Sequence, residues 1–230
     1  MDVGALAFDV FGTVVDWRAG VAREAARLLG PDVDAHAFAD AWRARYRPSM
    51  EEVRSGGRPF VPLDVLHRES LPEALAEVGA GPVPDDVAAE LVLAWHRLDP
   101  WPDAVPGLTR LRRRFVLAPL SNGGVRLQVD LARRAGLPWD LVLGAEVVGR
   151  YKPDPEVYDA AARLLALPPS AVLVVAAHVD DLAAARARGL RTAYVHRPDE
   201  FGGTRVPPER DPGADLSVSS LEELAGALGC

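Results

Sequence analysis

Hydrophobic positions along the chain fall into two alternating patterns. Short apolar runs occur at 4–10 (GALAFDV), 114–121 (RFVLAPLS), 140–145 (DLVLGA), 171–177 (AVLVVAA) and 191–195 (RTAYV). Runs of this length and apolarity predict strands buried on both faces. Between them lie Ala/Leu/Arg-rich stretches with helical spacing, at 125–136, 154–167 and 181–189. They stop at Gly136, at Pro168-Pro169 and at Gly189, residues that end helices. Apolar strands separated by helices predict an α/β fold, a Rossmann-like parallel sheet covered on both faces.

The region between the first and second strands breaks this rhythm. It carries helical patterns at 19–29, 35–45, 71–78 and 85–98 and no strand pattern. The expected organisation is a core domain of residues 1–16 and 99–230, with a helical cap subdomain inserted at 17–98. The segment 198–215, PDEFGGTRVPPERDPGAD, is rich in Pro and Gly and predicts a surface loop. No internal repeat is evident.

Composition narrows the function classes. The 230 residues are 49% hydrophobic, enough for a substantial core. Acidic residues number 33 against 26 basic ones, a net charge of −7 that argues against nucleic acid as a partner. No apolar run reaches the length of a membrane span, and no basic leader precedes the first apolar run. The single cysteine, Cys230, excludes an intramolecular disulfide and a cysteine metal cluster. A cytoplasmic protein without membrane contact is the expectation.

Open parallel sheets bind ligands beyond the carboxyl ends of their strands. Four polar clusters fall at such ends. They are Asp9 with Thr13, Ser121-Asn122-Gly123-Gly124, the YKPDPEVY segment at 151–158, and His178-Val179-Asp180-Asp181. A carboxylate at the end of a buried strand is costly unless it is paired, so Asp9 is a candidate functional group. Each cluster also has a plainer reading. Asp9, Thr13 and Asp181 suit caps, S-N-G-G suits a turn, and Tyr158 suits core packing.

In order and spacing, the motifs DVFGT, LSNGG, YKPDPEVY and HVDDL resemble the haloacid dehalogenase superfamily over essentially the whole chain. DVFGTVVDW, SNG and KPDPEVY are similar to its L-2-haloacid dehalogenase branch. The resemblance implies that Asp9 is a nucleophile that displaces halide from C2 of a 2-haloacid and forms an ester. Water then opens the ester. It implies that Lys152 keeps Asp9 charged, that Asp181 positions the water and pairs with the lysine, and that Thr13 orders Asp9. Ser121 and Asn122 would meet the substrate carboxylate and the departing halide, and Tyr158 matches an active-site tyrosine. Arg43, rather than its neighbours Arg45 and Arg47, matches the arginine that cradles halide.

Phe11 gives the resemblance its direction. Phosphatases of the superfamily carry a second aspartate there, which protonates a leaving alkoxide and contributes roughly 10²–10⁴-fold. Halide leaves as an anion and needs no proton. Ala177 likewise stands where phosphatases hold Mg²⁺ with an acid, so neither metal nor cofactor is implied. The expected substrates are haloacetates and L-2-halopropionates, with fluoroacetate the demanding case. Relatives of this kind are often dimers, and a homodimer is compatible with the resemblance. His178, Ala176 and Asp180 depart from the family, where Asn, Ser and Trp are frequent; His178 stays a candidate for substrate binding, as a group that orients water or a carboxylate. Trp17, Trp42 and Phe60 are candidates for a dry wall around the halide. Two alternatives stay open: a Mg²⁺-dependent phosphatase or phosphonatase using Asp180 and Asp181, and a catalytically silent carboxylate-binding scaffold.

Overall fold

A computed structural model describes residues 2–230. In chain order the strands are β1 (Ala5–Phe8), β2 (Val15–Asp16), β3 (Asp99–Pro100), β4 (Val116–Ser121), β5 (Leu143–Gly144), β6 (Val172–Ala176), β7 (Arg191–Val195) and β8 (Leu216–Val218). The helices are α1 (Trp17–Leu29), α2 (Ala35–Arg54), α3 (Leu63–Glu77), α4 (Asp85–Val92), α5 (Ala104–Leu111), α6 (Val125–Ala135), α7 (Pro155–Leu164), α8 (Val179–Ala187) and α9 (Leu221–Ala227). Six strands form one parallel sheet in the order β5-β4-β1-β6-β7-β8. The remaining two, β2 and β3, pair antiparallel beside it.

The continuous apolar strands are explained by cover on both sides. Successive side chains of a strand point to opposite faces. Leu6, Phe8, Leu117, Leu173, Val175 and Val195 pack into one core with α5, α6 and α9. Ala7, Ala118, Leu120, Val174, Ala176 and Tyr194 pack into the other with α7 and α8. Fully burying one such large apolar side chain contributes about 1.5–3 kcal/mol. No helix among the described residues is long and apolar enough to cross a membrane.

Register sets the site. Phe8 aligns with Pro119 of β4 and Val175 of β6. Asp9, Ser121 and Ala177 therefore leave the sheet at one edge, and Asp9 N–H donates to Val175 O at 2.9 Å.

Several expectations are corrected. The strand expected at 140–145 contracts to Leu143–Gly144, and Asp140 takes the Leu117 N–H on its carboxylate at 3.0 Å. The helix expected at 35–45 runs on to Arg54 through Pro48. The helix expected at 71–78 already starts at Leu63, because a buried His67 sits within its apolar stripe and hides the period. The helix expected at 85–98 ends at Val92 and continues as a tighter turn through Leu93–His96. The short elements β2, β3, β8, α5 and α9 carry too little pattern to be read. The segment 198–215 is not a free surface loop, since Glu200 and Asp211 are buried. Asp211 pairs with Arg186 at 2.7 Å, and Tyr194 donates to Pro208 O at 2.6 Å. Just before it, Arg197 forms a two-pronged bond to Asp103 and reaches Thr13 O at 3.0 Å.

Helices α1 to α4 occupy the whole run between β2 and β3. Polar contacts tie them to the rest. Arg54 meets Asp154 at 2.7 Å, and Tyr151 donates to Val61 O at 2.6 Å. His96 lies between Asp64 of α3, at 3.1 Å, and Asp130 of α6, at 2.9 Å. Burial would lower the His96 pKa, but hydrogen bonds to Asp64 and Asp130 outweigh it and raise the value.

A raised folded-state pKa gives stability that is complete below the unfolded histidine value and is lost as pH rises through the folded one. His96→Gln should therefore be less stable than wild type in mild acid and nearly equal to it in alkali. Denaturant midpoints across that range check this, and a constant gap would count against the ion-pair account.

Candidate active site

β1 delivers Asp9 to the carboxyl edge of the sheet, and the chain turns at once through Gly12, whose φ is +84°. A side chain at position 12 would also run into the Glu200 carboxylate. Thr13 then folds back. Its Oγ1 donates to Asp9 Oδ2 at 2.8 Å and accepts from Ala177 N–H at 2.9 Å, joining the ends of β1 and β6.

Lys152 lies at the centre. Its Nζ donates to Asp9 Oδ1 at 2.8 Å and to Asp181 Oδ2 at 2.6 Å. Its backbone N–H donates to Asn122 Oδ1 at 2.7 Å, which fixes the segment carrying the lysine against the end of β4. Tyr158 of α7 donates to Asp181 Oδ1 at 2.5 Å. His178 places Nδ1 3.1 Å from Asp9 Oδ2 and Nε2 3.0 Å from Glu200 Oε1. Trp17 holds Glu200 in turn, its Nε1 donating at 3.1 Å.

These contacts decide the charges. Burial would raise the Asp9 carboxyl, but Lys152 and His178 outweigh it and hold it well below the usual carboxylate range. Burial would lower Lys152, but Asp181 and Asp9 outweigh it and raise its value. Burial likewise opposes the charged form of His178, yet Glu200 and Asp9 push its pKa up to about 10. Burial and then Asp181 raise the Tyr158 phenol, so Tyr158 stays protonated. The Lys152 ammonium and the His178 imidazolium thus stand among the buried acidic side chains Asp9, Asp181 and Glu200.

A cavity of about 380 Å³ opens above Asp9, lined also by Phe11, Arg43, Tyr46, Asn122 and Lys152. That is the size of a small-molecule site. Arg43 reaches into it from α2. Its guanidinium lies 4.0 Å above the Tyr46 ring and 5.2 Å from the Trp17 ring, and its buried Nη1 has no partner. A buried donor left unpaired is costly, and an anion in the cavity would satisfy it. Arg45 is committed to Glu73, Glu77 and Ala41 O, and Arg47 pairs with Asp180 at 2.5 Å. Among the described residues Arg45 and Arg47 have carboxylate partners and Arg43 has none, which leaves Arg43 available to a ligand.

Not every expected residue reaches the cavity. Ser121 is buried and its Oγ accepts Gly123 N–H at 3.1 Å, the turn contact of its plainer reading. Trp42 is buried and donates to His67 O, and Phe60 packs on Tyr151 at 5.2 Å; neither lines the cavity. Trp17 reaches the site through Glu200 instead. The wall is built by Phe11, which meets Tyr46 and Trp95 edge-on. Asp180 lines the rim and takes its charge partner from α2.

The sequence reading missed Glu200 and Tyr46. Glu200 lies in a Pro/Gly-rich segment with no periodicity, and no local signal marks it. Tyr46 follows Arg43 at helical spacing, and the AWRARY stretch was its one signal.

The chain matches the family model for haloacid dehalogenase-like hydrolases over residues 3–189. It belongs to that family. The (S)-2-haloacid dehalogenase 1 of Pseudomonas sp. (strain CBS-3) is 30% identical over 229 residues, covering 98% of this chain and 96% of that protein. A solved defluorinating L-2-haloacid dehalogenase is 46% identical, with a TM-score of 0.94 and coverage of 99% of this chain and 96% of that one. A second L-2-haloacid dehalogenase structure is 43% identical, with a TM-score of 0.92 and coverage of 99% and 100%. These relatives lie in the branch that the motifs resembled, and the Rossmann-like α/β fold is that of the family.

In this haloacid dehalogenase-like hydrolase, Lys152→Met should leave Asp9 and Asp181 buried without their shared cation. Breaking such a pair costs about 3–5 kcal/mol near neutral pH. The deficit should shrink in acid, as the carboxyls take up protons instead of needing a partner. Urea midpoints at neutral and mildly acidic pH check this; a deficit independent of pH would contradict it.

Proposed function

We propose that the protein hydrolyses short 2-haloalkanoic acids through a covalent ester on Asp9, without a metal. The observation that carries the reading is the pairing of an ionised Asp9 with Lys152, on the floor of a cavity whose other walls are Phe11 and Arg43. Asp9 is ionised without a base to activate it. Its oxygen attacks C2 in line, the C–O bond forms, and the halide leaves with the bonding pair toward the Arg43 guanidinium. Inversion at C2 follows from in-line displacement, and the L-enantiomer is the proposed substrate.

Water then adds to Asp9 Cγ and releases the 2-hydroxy acid. Asp181, fixed by Lys152 and Tyr158, is the group for positioning that water. Asn122 contributes to the substrate carboxylate, with Ser121 acting through the turn it holds. Lys152 supplies the positive charge between the two aspartates. Residues 17–98 act as a cap that closes the cavity over the substrate. Fluoroacetate belongs to the proposed range, because Arg43 keeps a free donor for the departing anion.

Halide release from (S)-2-chloropropionate, chloroacetate and fluoroacetate, with EDTA present, tests the reading. The expected result is release that Asp9→Asn abolishes. Silence on all three, with Mg²⁺-dependent phosphate release from a phosphate-ester panel, would instead select the phosphatase alternative.

A further inference from the structure

The two oxygens of Asp9 are not equivalent. Oδ1 has one donor, the Lys152 ammonium. Oδ2 has two, Thr13 Oγ1 at 2.8 Å and His178 Nδ1 at 3.1 Å. Thr13 is the donor in this bond, because an ionised carboxylate can only accept. Donors tie up lone pairs, so the less encumbered Oδ1 is the attacking atom and Oδ2 becomes the carbonyl oxygen of the ester.

We propose that His178, kept as an imidazolium by Glu200, stabilises the oxyanion that forms on Asp9 Oδ2 when water opens the ester, and that Glu200 is the positioning residue for this step. The proposal rests on the reading of Asp9 as an ester-forming nucleophile. Water adds to Cγ, and the carbonyl pair moves onto Oδ2, where Thr13 and His178 already point. Two preorganised donors at such distances are the arrangement that stabilises a tetrahedral intermediate. The pair returns, the Cγ–Oδ1 bond breaks, and the leaving alkoxide takes one proton of the water. The second proton is released to solvent as Asp9 returns to its carboxylate.

Glu200 matters because of what alkylation removes. In the free protein the His178 ring is held between two anions, Asp9 and Glu200. Once Asp9 is an ester its charge is gone, and Glu200 alone remains in contact to keep the proton on Nδ1. Glu200 is itself buried and fixed by Trp17 Nε1. The other charges around the ring are one step further off. Asp180 on α8 pairs with Arg47, Lys152 stands across Asp9, and Arg43 of α2 lines the same cavity. None of them hydrogen-bonds His178 among the described residues.

The test separates the two chemical steps. Wild type and Glu200→Gln are mixed with (S)-2-chloropropionate and quenched rapidly. Halide reports alkylation, and mass spectrometry of the Asp9 peptide reports the ester. In Glu200→Gln the halide burst should persist at near wild-type rate, the ester should accumulate, and its breakdown should slow about tenfold to a hundredfold. The alkaline fall in breakdown rate should also move to lower pH, since the functional form is the protonated one and the substitution removes the anion that still contacts His178 in the ester. Equal changes in both steps, or an unmoved pH profile, would overturn the proposal. If Glu200→Gln does not fold, His178→Asn decides. It should slow ester breakdown more than the burst and lose the alkaline fall, and breakdown slowed no more than the burst would overturn the proposal. Absence of halide from wild type would instead defeat the ester reading itself.

Discussion

One ammonium group organises the site. Lys152 Nζ sits within hydrogen-bond distance of both Asp9 and Asp181, which come from opposite ends of the chain. Two carboxylates cannot be buried side by side without a cation, because each would lose hydration and repel the other. The lysine therefore does two things at once. It makes the site compatible with folding, and it keeps Asp9 ionised and Asp181 aimed. Tyr158 completes the arrangement by holding the second oxygen of Asp181.

The sheet explains how the distant parts arrive together. Three adjacent strands, β4, β1 and β6, end at one edge in register, so Asn122, Asp9 and the start of α8 are neighbours by topology. The helical segment between β2 and β3 adds what the sheet edge lacks: an apolar wall and an anion-seeking guanidinium. Burial strengthens each of these electrostatic contacts by excluding water. The chemistry is divided accordingly. The sheet edge holds Asp9 and its counter-charge, and the helices shape the cavity above them.

Much of this was legible in the sequence. Strand ends that carry Asp9, Asn122 and Asp181 could be read because each follows a run of residues apolar on both faces. Lys152 and Tyr158 could be read because they share a compact motif before a helix. Arg43 could be separated from Arg45 and Arg47 only by resemblance, and the structure supplies the reason: the other two have carboxylate partners. Glu200 was illegible. Its place depends on a fold-back stabilised by Arg197, Trp17 and the gap left by Gly12, none of which leaves a local pattern. Ser121, Trp42 and Phe60 show the converse. Their types suit a site, but their side chains are taken up by a turn and by the core.

In the proposed reaction Asp9 becomes an ester and water opens it at the aspartyl carbon. A single turnover in ¹⁸O-labelled water, with enzyme in excess over (S)-2-chloropropionate, tests this most directly. Label should appear in the carboxylate of the Asp9 peptide, and the hydroxy acid should be unlabelled at its new hydroxyl. Label in the hydroxyl of the product with an unlabelled Asp9 would mean that water attacks C2 directly, and the account of Asp9 as nucleophile would be wrong.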